Sequence, residues 1–311
     1  MKSDLKILVL GAGAMGGYYG SRLIQAGADV TFLVRASKVP SLRDNGLRLS
    51  SALGDFGAPV EAVVSERVRP EYDLVLLACK AYDLDDAGAS LQPALRSDTV
   101  ILPLLNGIWP YDQLDSRYGR DRVAGGAAYI AVTSLPDLSI QHFGVGDKLV
   151  IGARSELQAE VMCRFYETIR KTPGARALTD NIDQQLWQKW VMLSAGASAT
   201  CLMRANVREI LGTQFGPALV QQLLDECLTV ARESGHALDH SAISTIEGLL
   251  LDRNSTWASS MMRDIRAGAN KIEAHAIVGN MIERADGLEI DVPALKIAFT
   301  HLQAYEAQQY V

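Results

Sequence analysis

Three glycines and one lysine are the residues of this 311-residue chain whose types and spacing suggest chemistry. Gly11, Gly13 and Gly16 spell G-x-G-x-x-G directly after an apolar run and at the head of an amphipathic segment. There the first glycine permits a tight turn, the second lets the backbone approach a pyrophosphate, and the third lets a helix pack closely on a strand. The whole turn, Gly11, Ala12, Gly13, Ala14, Met15 and Gly16, is therefore read as cofactor-binding, with helix N–H groups facing phosphate oxygens. Glycines in such a turn can also serve the turn alone. Lys189 stands in "LWQKWVML", residues 186–193, between two tryptophans and among aliphatic side chains. Two environments are open to it. It either snorkels its head into water, or points into a cleft between domains, where desolvation would lower its pKa and make it a proton donor.

Selectivity for the cofactor should be set where the second strand ends. NAD-selective folds place an acidic residue there to bind the ribose hydroxyls, whereas "DVTFLVR" ends in Arg35. A guanidinium at that point would pair with a 2′-phosphate, so NADP(H) is the expected cofactor, with Lys38 as a second contact. An exposed strand-end arginine without a ligand is the alternative. Lys80, after "LVLLAC", and Asn106, after "VILPLL", fall just past the ends of two later strands, the edge along which open α/β sheets bind ligands.

The elements that must hold these residues follow from hydrophobic patterning. "LKILVLG" (5–11), "DVTFLVR" (29–35), "YDLVLLACK" (72–80) and "TVILPLLNG" (99–107) are buried-strand runs. Helical segments alternate with them, one carrying Tyr18, Leu23 and Ile24 up to Gly27, another running from Leu84 to Leu95. A βαβ series of this kind implies a right-handed, doubly wound parallel sheet. The shorter, alternating pieces "GLRLSS", "GAPVEAVVS", "AAYIAVTS", "LSIQHFG" and "KLVIGA" are expected as antiparallel strands at the far edge of that sheet. From about Asp180 the pattern becomes helical. A helix is expected over Asp183 to Met203, Pro217 opens a segment closed by Gly235, and Pro293 opens the last helix. The fold class is α/β: an N-terminal Rossmann domain over residues 1–178 and a C-terminal all-α domain over 179–311.

Composition narrows the partners. Thirty basic against thirty-six acidic side chains leave a net charge of −6, which offers nucleic acid or an anionic membrane no attraction. Cys79, Cys163, Cys201 and Cys227 form no C-x-x-C pair, consistent with reduced thiols in the cytoplasm. The lysine near the N-terminus followed by an apolar run reads as a strand, not a signal peptide, because the run is short and dissolves into glycines. The apolar stretch from Trp190 to Met203 is too short to cross a bilayer and is expected as a buried helix. His236 and His240 lack an evident third ligand, so no metal is expected. Apolar surface on the helical domain can support a homodimer, although sequence does not separate that surface from the core.

Taken together, "KILVLGAGAMGGYYGSRL", Arg35, "CKAYD", "LLNG", "LWQKW" and "SSMMRDIRAGANKIEAHAIVGNMI" resemble the ketopantoate reductase (2-dehydropantoate 2-reductase) family over essentially the whole chain. Members reduce a 2-oxo acid with NADPH, a step of pantothenate biosynthesis, on a Rossmann domain followed by a helical one. The resemblance implies that Lys189 is the catalytic lysine, Glu273 the essential carboxylate, Ser260 a substrate-binding serine, and Lys80 and Asn106 cofactor-side residues. In the mechanism it implies, Asn106 also bridges to the substrate. Taken alone, Glu273 would read as an ordinary helix-surface carboxylate and Ser260 as a helix-start residue.

Two departures stand out. The spacing from Asp264 to Glu273 is one residue longer than the common family pattern. Leu193, Ala197 and Trp257 also occupy positions where ketopantoate-type members carry asparagines. Apolar groups there should not favour a hydroxylated acid. A related NADP-dependent dehydrogenase for an acid with an apolar side chain, and a non-catalytic NADP(H)-binding protein, are therefore carried as alternatives.

Overall fold

A computed structural model describes residues 5–309; Lys2, the lysine weighed above for a signal peptide, lies outside them. Up to residue 178 the chain runs β1 (Lys6–Leu10), α1 (Ala14–Gln25), β2 (Asp29–Leu33), α2 (Val39–Asn45), β3 (Leu47–Ser50), β4 (Phe56–Ala58), β5 (Glu61–Val63), β6 (Leu74–Leu77), α3 (Leu84–Leu91), β7 (Val100–Pro103), α4 (Trp109–Tyr118), β8 (Gly125–Ser134), β9 (Ile140–Gly152), α5 (Ala159–Ile169) and β10 (Ala175–Leu178). It continues as α6 (Ile182–Met203), α7 (Val207–Leu211), α8 (Gly216–Glu233), α9 (His240–Leu250), α10 (Ser260–Arg266), a π-helical turn (His275–Gly279) that passes into α11 (Asn280–Gly287), and α12 (Pro293–Gln308). Two compact units result. One holds the described residues up to Leu105 together with Pro110–Asp183, and the other holds Asn106–Trp109 with the residues from Gln184 onward. The division falls after Asp183, where the sequence pattern suggested 178, and four residues from the loop after β7 group with the helical unit.

In the first unit β5-β2-β1-β6-β7 form a parallel sheet. Counted along the chain this is the order 3-2-1-4-5 of a Rossmann sheet. Continuous apolar runs become its strands because both faces are covered, and Ile7, Leu8 and Val9 of the central strand are wholly buried.

Apart from Glu61–Val63, the shorter strands do not extend the edge of this sheet, and that expectation is corrected. They form a second, mixed sheet in the order β10-β9-β3-β4, with β8 on β9. Pairs β3–β4 and β8–β9 are antiparallel, whereas β3–β9 and β9–β10 are parallel. The stretch "GAPVEAVVS" divides between the two sheets: Phe56–Ala58 pairs with β3, and Glu61–Val63 adds a parallel strand beside β2. Pro59, which has no N–H to give a ladder, lies between the two pieces. Alternation reveals that one face of a strand is buried, not which sheet it joins.

A buried polar cluster fastens α1 to the second sheet. The side chain of Asp147 on β9 accepts hydrogen bonds from Tyr18 (2.7 Å), from Tyr19 (3.0 Å) and from Arg176 on β10. Beside it Arg22 donates to Ser51 at 3.0 Å, and Ser51 Oγ lies 2.8 Å from Nδ1 of His142.

The described residues of the second unit form helices joined by loops, with no strand among them. Its longest element, α6, carries Trp190, Val191, Ala195 and Ala199 into the core. Glu226 on α8 accepts from the backbone N–H groups of Ala294 and Leu295 and so caps the start of α12. His236 stacks on Trp187, and no group of three or more potential metal ligands occurs among the described residues. No helix there is long and apolar enough to cross a membrane.

Candidate active site

At the head of α1, Gly11 adopts φ +94° and its N–H bonds to the carbonyl of Leu33. Such a backbone strongly disfavours a side chain. A Cβ on Gly16 would lie 2.0 Å from the carbonyl oxygen of Gly11 and 3.2 Å from Val9, so glycine is what lets α1 sit against β1. Gly13 is exposed and no side chain caps the first turn, which leaves the helix N-terminus open to a phosphate. The turn therefore fits a dinucleotide pyrophosphate. Arg35 follows β2 as an exposed side chain and pairs loosely with Asp83 at 3.5 Å. Lys80 follows β6 at the head of a short 3-10 turn.

The second unit brings three of the expected residues together. Lys189, on α6, is only 6% exposed, and its Nζ donates to Oδ1 of Asn106 at 3.0 Å. Burial, opposed in part by the negative charge of Glu273, pulls the pKa of Lys189 down to about 8. Glu273 itself is 6% exposed. The snorkelling alternative for Lys189 is thereby set aside, and Glu273 is no surface carboxylate.

The π turn that begins just after Glu273 organises this cluster. Ile277, within it, presents its carbonyl to two donors on α6, Nε1 of Trp190 at 2.9 Å and Oγ of Ser194 at 2.8 Å. Trp190 and Ser194 stand one helical turn apart, on the stripe next to Lys189. Gly107, at φ +86°, lies so close that a Cβ there would come within 2.3 Å of the Ala276 carbonyl oxygen. Thus the neighbour of Asn106, the helix of Lys189 and the segment after Glu273 all converge on one irregular turn, a recurrent feature of functional sites. Between Asp264 and Glu273, α10 ends at Arg266 and the chain then runs without regular helix or strand up to Glu273.

Ser260 opens α10, but the N-cap is Ser259, whose Oγ accepts from the N–H of Met262 and lies 3.1 Å from Thr200 Oγ1 on α6. Sequence reasoning missed Trp190, Ser194 and Gly107 as supports, and Asp83 as the partner of Arg35. Only Gly107 carried a signal, as a glycine beside a candidate polar residue.

A parallel 3-2-1-4-5 sheet with this glycine turn, joined to a helical unit holding a buried lysine, defines a class of two-domain oxidoreductase. The model for ketopantoate reductase PanE/ApbA matches residues 7–156 and that for its C-terminal part matches 181–306. An uncharacterized oxidoreductase of Bacillus subtilis, YkpB, is 30% identical over 305 residues, covering 98% of this chain and all of that one. A 2-dehydropantoate 2-reductase of Nostoc is 25% identical over 97% of this chain and 95% of its own. Among solved structures, a PanE/ApbA family ketopantoate reductase from Ralstonia eutropha superposes with a TM-score of 0.87 at 26% identity, covering 99% of this chain and 100% of that one. The chain belongs to the ketopantoate reductase family and is an oxidoreductase acting on CH–OH groups.

Proposed function

We propose that this protein reduces a 2-oxo acid to the corresponding 2-hydroxy acid with NADPH. The observation that carries the reading is the buried ammonium of Lys189, hydrogen-bonded to Asn106, attracted by Glu273 and with its pKa drawn to about 8. An ammonium so tuned still carries its proton at neutral pH and releases it readily.

NADPH, when bound, supplies the hydride that reaches the ketone carbon. The turn from Gly11 through Ala12, Gly13, Ala14 and Met15 to Gly16 holds the pyrophosphate, and Arg35, released from Asp83, pairs with the 2′-phosphate. Lys80 contributes on the cofactor side. Lys189 stabilises charge developing on the carbonyl oxygen and then passes that oxygen its proton, so the alkoxide leaves as a hydroxyl and the lysine as a neutral amine. Glu273 orients the lysine. Asn106, which accepts from Lys189 in the structure, keeps its NH₂ to donate to cofactor or substrate. Ser260 helps hold the carboxylate of the acid.

The test is NADPH oxidation over a panel of 2-oxo acids by the parent and by Lys189→Ala. Turnover by the variant should fall by about 10²–10⁴-fold while NADPH binding, followed by fluorescence, stays within about twofold. Undiminished turnover in Lys189→Ala removes the proposed role.

A further inference from the structure

The stripe of α6 that carries Lys189 continues through Leu193 and Gly196 to Thr200, residues spaced four, three and four apart and therefore on one face. What lies against that stripe is set by the segment 255–260. A Cβ on Gly196 would fall 2.5 and 2.7 Å from Cζ3 and Cη2 of Trp257, so the indole ring is seated directly on the helix at this glycine. Leu250 closes the same spot, 3.0 Å from that Cβ position. A glycine inside an otherwise regular apolar helix marks such an approach.

The tryptophan is held from both sides. Its carbonyl accepts from the N–H of Val207, and the carbonyl of Ser255 accepts from that of Arg208, both in the first turn of α7. A capping box between Asn206 and Glu209 fixes the start of α7. Two residues after the tryptophan, Ser259 bonds Thr200 and lies 3.5 Å from Sγ of Cys201. Trp257 is therefore strapped to α6 about 10 Å in helical rise from Lys189, with Leu193 between them. Both Trp257 and Leu193 remain partly exposed, whereas Ala197 beside them is 1% exposed. No amide or hydroxyl projects from these three positions.

We infer that Leu193 and the strapped indole of Trp257 form the wall that receives the substrate side chain, and that the preferred substrate is a 2-oxo acid with a branched or larger apolar side chain. This rests on the reading of Lys189 as proton donor to a 2-oxo acid. Burying a terminal hydroxyl against leucine and indole offers no acceptor for its proton, whereas a methyl in the same place gains contact. Because the residue is fixed at its backbone and its ring is seated against Gly196, it selects by shape as well as polarity.

A matched pair of acids tests the inference: 3,3-dimethyl-2-oxobutanoate, and 2-dehydropantoate, which has the same skeleton with one added hydroxyl. The parent should prefer the first by about tenfold to hundredfold in kcat/KM. The double variant Leu193→Asn with Trp257→Asn should reverse or level that ratio while NADPH binding is kept. Gly196→Ala, which displaces the ring without removing it, should lower the ratio and serves if the double variant fails to fold. Equal turnover of the two acids by the parent, preference for 2-dehydropantoate, or a ratio unmoved in folded variants overturns the inference while leaving 2-oxo acid reduction intact. A parent that reduces neither acid, nor 4-methyl-2-oxopentanoate, overturns the underlying reading and the inference with it.

Discussion

The two units each bury charge, and they treat it in opposite ways. Around Asp147 in the first unit the carboxylate is matched: it receives two tyrosine hydroxyls and the guanidinium of Arg176, and both side chains of the ion pair are at most 2% exposed. Burial works against the Arg176 cation, yet the hydrogen bond and charge of Asp147 outweigh it and hold the guanidinium pKa above its ordinary value. Burial, with the neighbouring carboxylate, likewise pushes the hydroxyl of Tyr19 well up. Neither Arg176 nor Tyr19 can change protonation near neutral pH. Around Lys189 the balance is reversed, because desolvation exceeds the attraction of Glu273 and the pKa falls to about 8. Burial alone does not mark chemistry. A buried group whose partners fall short of its desolvation is poised to exchange a proton, whereas one whose partners exceed it is locked.

The largest effect should come from unlocking the first cluster. Asp147→Ala leaves Arg176 buried without its counter-charge, and unfolding monitored in urea should show a loss of about 3–5 kcal/mol. Turnover per folded molecule should stay near the parent's, opposite to Lys189→Ala. A stable Asp147→Ala protein would erase the contrast.

The pH dependence sharpens the same contrast. Lys189 has an ordinary pKa of 10.5 unfolded and about 8 folded, so the folded protein releases this proton first as pH rises. With Lys189 as the proposed proton donor, ketone reduction should decline about tenfold per pH unit above pH 8. Oxidation of the hydroxy acid, which needs the amine, should rise through the same point. The sign for stability follows from linkage: between about pH 8 and 10.5 the unfolded chain holds more protons, so this group makes the protein more stable as pH increases. Rate profiles without an inflection near pH 8 would break the assignment.

The exposed pair of Arg35 and Asp83 supplies the smallest expected change in stability. At 3.5 Å and with Arg35 73% exposed, it is a solvated contact. Arg35→Asp should leave the urea midpoint where it is and shift the cofactor preference from NADPH toward NADH. Equal affinity of the parent for both cofactors would remove the 2′-phosphate role from Arg35.

How far the sequence could be read depended on whether the signal was local. The parallel sheet was legible because strands buried on both faces become unbroken apolar runs, as in "LKILVLG" and "YDLVLLACK". The glycine turn was legible because Gly11 and Gly16 each answer a local steric demand. The second sheet was not, since the pairing of β3 with β9 joins residues some ninety positions apart and leaves no trace in either strand. Lys189 could be named a candidate, but α6 offered both a wet and a dry place for it, and the helix alone could not choose.

By itself, then, the amino-acid order determined the alternation of strands and helices, the glycine turn at the head of the first helix, the change to helices near residue 180, and the residue types on offer at the candidate site. Only the tertiary structure decided that Lys189 is dry, that Asn106 and Glu273 are its neighbours, and that a π turn, Gly107 and Gly196 set the spacing around it. The physical reason is that propensity and patterning act over a few residues. Desolvation and the attraction between charges depend on which distant segments are packed together, and those distances exist only in the folded chain.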